Sequence, residues 1–393
     1  MKIARIETRI VEYRYPQPIA TSWTPGQTEE GHGFMLLKVV TEDGIEGHAT
    51  GLRYRLFQGS RATAMDKGGV NGPLAKPAID AFLTEMLIGR QATDIEGLIQ
   101  LIQNTSWFGR GRFWFVEMAL WDIIGKKAGL PVYKLLGGFH DRIKGYASWA
   151  TAKSPDEAAQ ATRTYREIGY RAIKMRVHSD TIREDVAQVA AVREAGGDDM
   201  EIMVDANYGR AVTVPGGLKV WDLARAVATA REFEGLGVTW LEEPLHQSDL
   251  RGLSELRTKT TVRIAGGEYN ENLREFAGLL DCFDIFQPDA VRAGGVLATR
   301  KIGALAEAFG KFCVLHTWGD GLLMHPSLHI AASMPNCPWF EMPDERPALT
   351  PAVRDLVLEN PVEIDADGFV TLPQEPGFGM RIDWDRVRHH TVA

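Results

Sequence analysis

Cysteine is scarce in this chain. There are three in 393 residues, Cys282, Cys313 and Cys337, scattered over its C-terminal part. So placed, they form neither a zinc-binding spacing nor a disulfide framework, which excludes the small disulfide-stapled secreted classes and fits a reducing cytoplasm. Long apolar runs are missing too. No stretch approaches the roughly 20 residues that span a bilayer, so no membrane partner is expected. The N-terminal Met1-Lys2-Ile3-Ala4-Arg5-Ile6-Glu7 alternates polar and apolar like a strand, unlike a signal peptide. There is no long single-sign charge run, and the net charge of −8 argues against non-specific nucleic-acid binding. A glycine-rich phosphate turn after an early strand is also wanting. Gly294-Gly295 precedes a helix-like stretch, but a lone glycine pair is weak evidence for one.

What is present is an ordinary globular composition, 45% hydrophobic and 24% charged, on a chain long enough for two domains and a large core. Residues 1 to about 60 read as antiparallel strands, with Glu42-Asp43-Gly44 supplying a turn. Two stretches, Thr21 to Gly26 and Gly51 to Phe57, read as loops rich in aromatic or basic groups. They are candidate lids over a small-molecule site, with Trp23 and Arg53 as candidate substrate contacts. Helices are expected from Pro77 to Leu87, after Asp94, and from Val116 to Ala128 before Gly129 and Pro131.

From Ile143 the pattern changes. Eight short apolar runs, beginning at Tyr146, Ala172, Ile202, Trp240, Ile264, Ile285, Cys313 and Trp339, alternate with helix-length segments. These segments include Pro155 to Ile168, Ile182 to Ala195, Leu218 to Phe233, Leu273 to Cys282 and Leu297 to Phe309. Repeated βα units with buried parallel strands imply an α/β fold of the (β/α) barrel type. A doubly wound sheet is the alternative, and it lacks its phosphate turn. Residues 361–393 read as a tail with a few strands that folds back on the first domain.

In such a barrel the site lies at the C-terminal ends of the strands. There the sequence places Lys174 and Arg176, then Asp205, Glu242, Glu268, Asp289, His316 and Glu341. A single strand-end carboxylate is more often a helix cap or half of a salt bridge. Asp205, Glu242 and Glu268 on three consecutive units would repel one another unless a cation meets them. All-oxygen ligation points to a hard dication, Mg²⁺. Glu243, by strand parity, points away and is expected to pair with a side-chain cation. Asp289, one unit before His316, could fix the tautomer of that imidazole and leave its other nitrogen to move protons. Asn207 could orient substrate or cap the next helix. His178, His325 and His329 read as structural or peripheral.

Lys174-x-Arg176, Asp205-Ala206-Asn207, Glu242-Glu243-Pro244, Gly267-Glu268, Pro288-Asp289, His316 and Glu341 follow one another in an order that resembles the enolase superfamily. The closest subgroup is the mandelate racemase-like one. Glu42-Asp43-Gly44-Ile45-Glu46-Gly47, Ala119 to Gly138 and Pro376-Gly377-Phe378-Gly379 resemble it as well, so the likeness runs over nearly the whole chain. It implies a (β/α)₇β TIM-like barrel over residues 140–360. An α+β capping domain would be built from residues 1–135 and the returning segment 361–393. It further implies one Mg²⁺ on Asp205, Glu242 and Glu268 that chelates a small-molecule carboxylate substrate, and a His316–Asp289 dyad. Lys174 would add charge beside the enediolate oxygen, and Glu341 would hydrogen-bond that oxygen. Relatives often form homo-oligomers.

Arg176 departs from the pattern, standing where mandelate racemase has a second lysine as base. An arginine holds its proton too tightly for that task. One good base favours dehydration of an acid sugar over racemisation of a 2-hydroxy acid, with a non-catalytic carboxylate-binding relative as the further alternative.

Overall fold

The computed structural model describes residues 1–58, 64–65, 72–109, 113–211 and 219–393. Its first sheet is antiparallel and ordered β1 (Ile3–Ile19), β2 (Glu29–Thr41), β3 (Glu46–Phe57), β4 (Ala64–Met65). The turn between β2 and β3 passes through Gly44 at φ 82°, a conformation that costs glycine nothing. Thr21 to Gly26 is a loop, as the sequence suggests. Gly51 to Phe57 is not. It continues β3 and pairs with β2 at Tyr54–Gly33, Arg55–His32 and Phe57–Glu29. Basic residues are tolerated in this strand because its charges are matched: Arg55 pairs with the buried Glu29. The sheet lies tightly on the helix Phe115–Ala128, which is stopped by Gly129 at φ 68°. A side chain at Gly51 would run into the Phe115 ring, and one at Gly47 into the Ala119 carbonyl.

The second sheet is parallel and curled. Its strands are β5 (Arg142–Ser148), β6 (Ala172–Arg176), β7 (Glu201–Asp205), β8 (Val238–Glu242), β9 (Arg263–Gly266), β10 (Ile285–Phe286), β11 (Phe312–Cys313) and β12 (Trp339–Pro343). They are hydrogen-bonded in sequence from β5 to β11, with β12 on the far side of β5. Strand β6 is buried at every position, as a strand covered on both faces must be. Tyr146, Ala172, Met203, Trp240, Ala265, Ile285 and Val314 form one apolar cluster, with Phe312 and Trp339 packed against it. These residues come from all eight units, so the curl closes around a filled core. Each large side chain withdrawn from water there stabilises the fold by about 1.5–3 kcal/mol. The (β/α) barrel expectation holds.

Helix starts follow local capping chemistry. Ser154 and Glu157 form a capping box ahead of the helix Pro155–Ile168, and Thr181 and Glu184 do the same for Ile182–Gly196. The expected helix from Leu218 instead begins at Leu223, where the Asp222 carboxylate accepts from the Arg225 amide; Leu218 itself lies outside the described residues. The segment from Leu273 is helical only to Ala277 and then proceeds in turns. A buried helix, Gly321–Ala332, follows β11.

The tail does two things. The tail is expected to fold back on the first domain; its strand β13 (Phe369–Thr371) pairs antiparallel with β5 of the barrel. Its end does return, with the Ile10 amide donating to the Ala393 carbonyl and the Val392 amide to the Ile10 carbonyl. No helix among the described residues is long and apolar enough to cross a membrane.

Candidate active site

Strand register assembles the charged row. Arg176 on β6 stands beside Asp205 on β7, which stands beside Glu242 on β8. Lys174 lies two residues before Arg176 and so shares its face. All four side chains are buried. The Lys174 ammonium donates to both Glu242 oxygens, at 2.9 and 3.0 Å, and lies 2.8 Å from Glu341 Oε1. Burial by itself lowers its pKa, but Glu242 and Glu341 hold it above the ordinary lysine value. Arg176 donates to the Asp205 carboxylate, to the Trp149 carbonyl at 2.7 Å and to Ser148 Oγ at 3.2 Å. Its basicity is raised in spite of burial, chiefly by Asp205, which rules it out as a base.

The three carboxylates singled out in the sequence reach the same end of the barrel by different means. Asp205 and Glu242 end their strands, whereas Glu268 lies two residues past β9. Here each carboxylate meets a cation or a ring: Asp205 meets Arg176, Glu242 meets Lys174, and Glu268 Oε2 lies 3.2 Å from His316 Nε2. Among the described residues no three acidic, imidazole or thiol side chains stand close enough together to hold an ion in this arrangement. The electrostatics still leave room for one. Burial and the neighbouring Glu242 charge push the Asp205 carboxyl well above the usual range, against the pull of Arg176 and Lys174. An additional positive charge would relieve it. Buried oxygen donors on adjacent strand ends are the set that Mg²⁺ takes.

Asp289 and His316 lie three residues beyond the ends of β10 and β11. They form the dyad: His316 Nδ1 is 2.9 Å from Asp289 Oδ2. Burial favours the neutral Asp289 acid, but Arg292, the His316 hydrogen bond and Arg53 hold its pKa below the usual range. Glu341 is an acceptor on all sides, taking hydrogen bonds from Ser148 Oγ (2.8 Å) and the Thr317 amide (2.7 Å) besides Lys174. Burial would raise it, yet Lys174 and His316 keep it low. Its hydrogen bonds here all come from protein donors: Lys174, Ser148 and the Thr317 amide.

A narrow cleft opens beside His316, lined by Trp23, Arg55, Arg176, Asn207, Glu268, Tyr269, Arg292, His316 and Trp318. Trp23 is there as expected. Its ring is edge-on to Trp318, with centroids 5.0 Å apart, and the guanidiniums of Arg55 and Arg176 lie 4.9 and 5.2 Å from its ring centre. Asn207 is there too, at φ 51°. Its amide nitrogen Nδ2 donates to Asp205 Oδ2 at 2.9 Å, and its Oδ1 accepts from Ser22 Oγ at 3.2 Å. It caps none of the described helices; it ties the N-terminal loop to the end of β7.

Arg53 does not line the cavity. It sits behind the dyad, donating to the Trp318 carbonyl, with Nη2 3.5 Å from Asp289 Oδ2. Glu243 leaves the strand at φ 45°, so strand parity does not govern it; its carboxylate lies against Gly209, where any side chain would collide with it. His325 and His329 are buried, and burial lowers both pKa values, His329 to about 3. His325 sits between the Phe378 and Asn360 carbonyls, and His329 Nδ1 accepts from the Tyr133 amide. His178 packs edge-on to Tyr208 and is likewise held neutral, at about 4, by burial.

Sequence reasoning missed Arg55, Tyr269, Arg292 and Trp318. Each lies one to three residues from a residue it did find, but nothing local distinguishes a lining side chain from its neighbours.

Two family models match the chain: the mandelate racemase / muconate lactonizing enzyme N-terminal domain over residues 5–137, and the enolase C-terminal domain-like model over residues 156–386. The chain is 29% identical to an arabinonate dehydratase of Saccharolobus solfataricus, over 91% of its own length and 90% of that protein's. It is 30% identical to a 3,6-anhydro-alpha-L-galactonate cycloisomerase of Streptomyces coelicolor over the full length of both. Among solved structures it resembles the L-talarate dehydratase of Polaromonas sp. JS666 in complex with Mg and L-glucarate. The TM-score is 0.82 and the identity 25%, covering 100% of this chain and 98% of that one.

Proposed function

The chain belongs to the mandelate racemase / muconate lactonizing enzyme family of the enolase superfamily, and on that premise we propose that it is a Mg²⁺-dependent dehydratase of an acid sugar. The observation that carries this reading is the single imidazole among the described lining residues. His316 is backed by Asp289 at 2.9 Å and faces a cavity whose other strand-end base candidate is the ion-paired Arg176. A racemase needs a proton acceptor on each face of the carbanion; a dehydratase needs one base and an acid for the departing hydroxyl.

In this reading Asp205, Glu242 and Glu268 would hold the ion. When bound, Mg²⁺ supplies positive charge beside the substrate carboxylate, where negative charge grows as the α-proton leaves. Lys174 contributes a second fixed charge at the same place, kept protonated by its two carboxylate neighbours. His316 Nε2 takes the α-proton while Asp289 holds Nδ1 and so the tautomer. The imidazolium then gives its proton to the β-hydroxyl, which leaves as water. The resulting enol tautomerises to a 2-keto acid. Arg176 orients Asp205, and Trp23 and Asn207 bound the space for the polyol tail.

The test is a screen of aldonic and aldaric acids for 2-keto acid release with Mg²⁺, run beside α-proton exchange in D₂O. Wild type is expected to release product, and His316→Asn to lose both exchange and product while still binding Mg²⁺. Exchange retained in His316→Asn would put the base elsewhere. Exchange by wild type without loss of water from any acid would favour a racemase or epimerase.

A further inference from the structure

We propose that Arg53 is a positioning residue for the base, acting through Asp289 from the N-terminal sheet, so that the chemistry depends on that sheet being seated on the barrel. This inference rests on the reading of His316 as the base.

Arg53 stands on β3, outside the barrel, yet its side chain is only 3% exposed. Its guanidinium reaches Asp289 and the segment just after His316 at once. One terminal nitrogen donates to the carbonyl of Trp318, two residues after His316. The other lies 3.5 Å from Asp289 Oδ2, the oxygen that faces His316 Nδ1 at 2.9 Å. A guanidinium is a rigid planar fork, so the loop carrying His316 and the carboxylate that orients it are referred to one common plane.

Two further features fit this role. Gly319 leaves the space the fork occupies, because a side chain there would collide with Arg53 Nη1. From the same strand, Thr50 Oγ1 donates at 3.0 Å to Asp320, whose carboxylate caps the helix Gly321–Ala332. Strand β3 thus grips the segment 318–320 at two points, with the base just before it. Arg292 Nε lies 3.8 Å from the same Asp289 oxygen, so loss of Arg53 leaves Asp289 with a cationic neighbour while removing the link to the His316 loop. Displacing a base by about 1 Å costs on the order of 100-fold in rate.

The experiment uses the full-length, Mg²⁺-loaded protein with the acid found in the screen. Arg53→Met, Arg53→Lys and Gly319→Ala are compared by kcat and KM. In parallel, the Nδ1 proton of His316 is followed by NMR in the metal-free protein. Arg53→Met is expected to lower kcat about 100-fold with KM changed less than about threefold, and to shift or broaden the Nδ1 proton. Arg53→Lys, keeping charge without the fork, should recover part of kcat. Gly319→Ala should lower kcat at least tenfold with Arg53 still present, and it decides the matter if Arg53→Met does not fold. Wild-type kcat in Arg53→Met or in Gly319→Ala would overturn the proposal. So would a rise in KM alone, which would make Arg53 a substrate contact. Should His316→Asn retain α-proton exchange, the base assignment fails by itself, and the NMR shift still tells whether Arg53 fixes the dyad.

Discussion

Replacing Lys174 with methionine tests the charge cluster most directly. Methionine keeps much of the length and removes the ammonium. The change deletes hydrogen bonds of 2.9 and 3.0 Å to Glu242 and an ion pair of 2.8 Å to Glu341. Both carboxylates are fully buried. Breaking a buried ion pair from one side costs about 3–5 kcal/mol, because the remaining charge stays desolvated. Here the lower end applies. Glu242 keeps Gln287 Nε2 at 2.7 Å and Trp240 Nε1 at 3.1 Å, while Glu341 keeps Ser148 and the Thr317 amide. Lys174→Met is therefore expected to lose about 3 kcal/mol in urea denaturation with EDTA present. Mg²⁺ should then raise its midpoint more than it raises that of wild type, because a dication replaces the missing charge. A variant as stable as wild type in EDTA would refute the claim that these acids are ionised and held by Lys174. An equal Mg²⁺ response in both would refute the claim that the ion and the ammonium serve the same carboxylates.

Asp205→Asn keeps the shape of the site and removes one carboxylate; the thermal shift given by Mg²⁺ should fall to near zero, and full activity would count against Asp205 as a ligand. Glu117 lies buried against the start of the helix Gly295–Ala308, accepting from the Leu297 amide at 2.9 Å and Trp121 Nε1 at 3.1 Å, and burial raises its pKa to about 7. An acid raised on folding contributes its full stability below its unfolded pKa and loses it as pH rises through the folded value. Wild type should therefore weaken between pH 5 and pH 8, whereas Glu117→Gln, which keeps an acceptor at the same place, should weaken less. The difference approaches about 3 kcal/mol above pH 8, and parallel pH–stability curves would exclude it.

The barrel was legible because its signals are local. Strand β7 is the apolar run Ile202-Met203-Val204 closed by Asp205, and the first two barrel helices begin at Ser154–Glu157 and Thr181–Glu184 capping boxes. Where boundaries failed, the deciding contact was elsewhere. Gly51 to Phe57 looks like a loop by composition and is a strand because β2 pairs with it and Glu29 neutralises Arg55. The tail strand Phe369–Thr371 chose β5 as its partner, across more than 200 residues of chain.

For the candidate site, the sequence by itself determined the chemical inventory and its order: a lysine and an arginine two apart, three acids on successive units, then Asp289, His316 and Glu341. Strand periodicity fixes the faces of Lys174, Arg176, Asp205 and Glu242, whereas Glu268, Asp289 and His316 lie beyond their strand ends, where it no longer applies. Tertiary structure alone decided which charge meets which. Lys174 bridges Glu242 on β8 and Glu341 on β12, and Arg53 from the first sheet lies beside Asp289. Pairings of that kind depend on distances of about 3 to 4 Å between residues on different strands, 68 apart in the chain for Lys174 and Glu242. No spacing rule along one strand can carry that information; it arises when the barrel sheet curls and, for Arg53, when the first sheet packs on it.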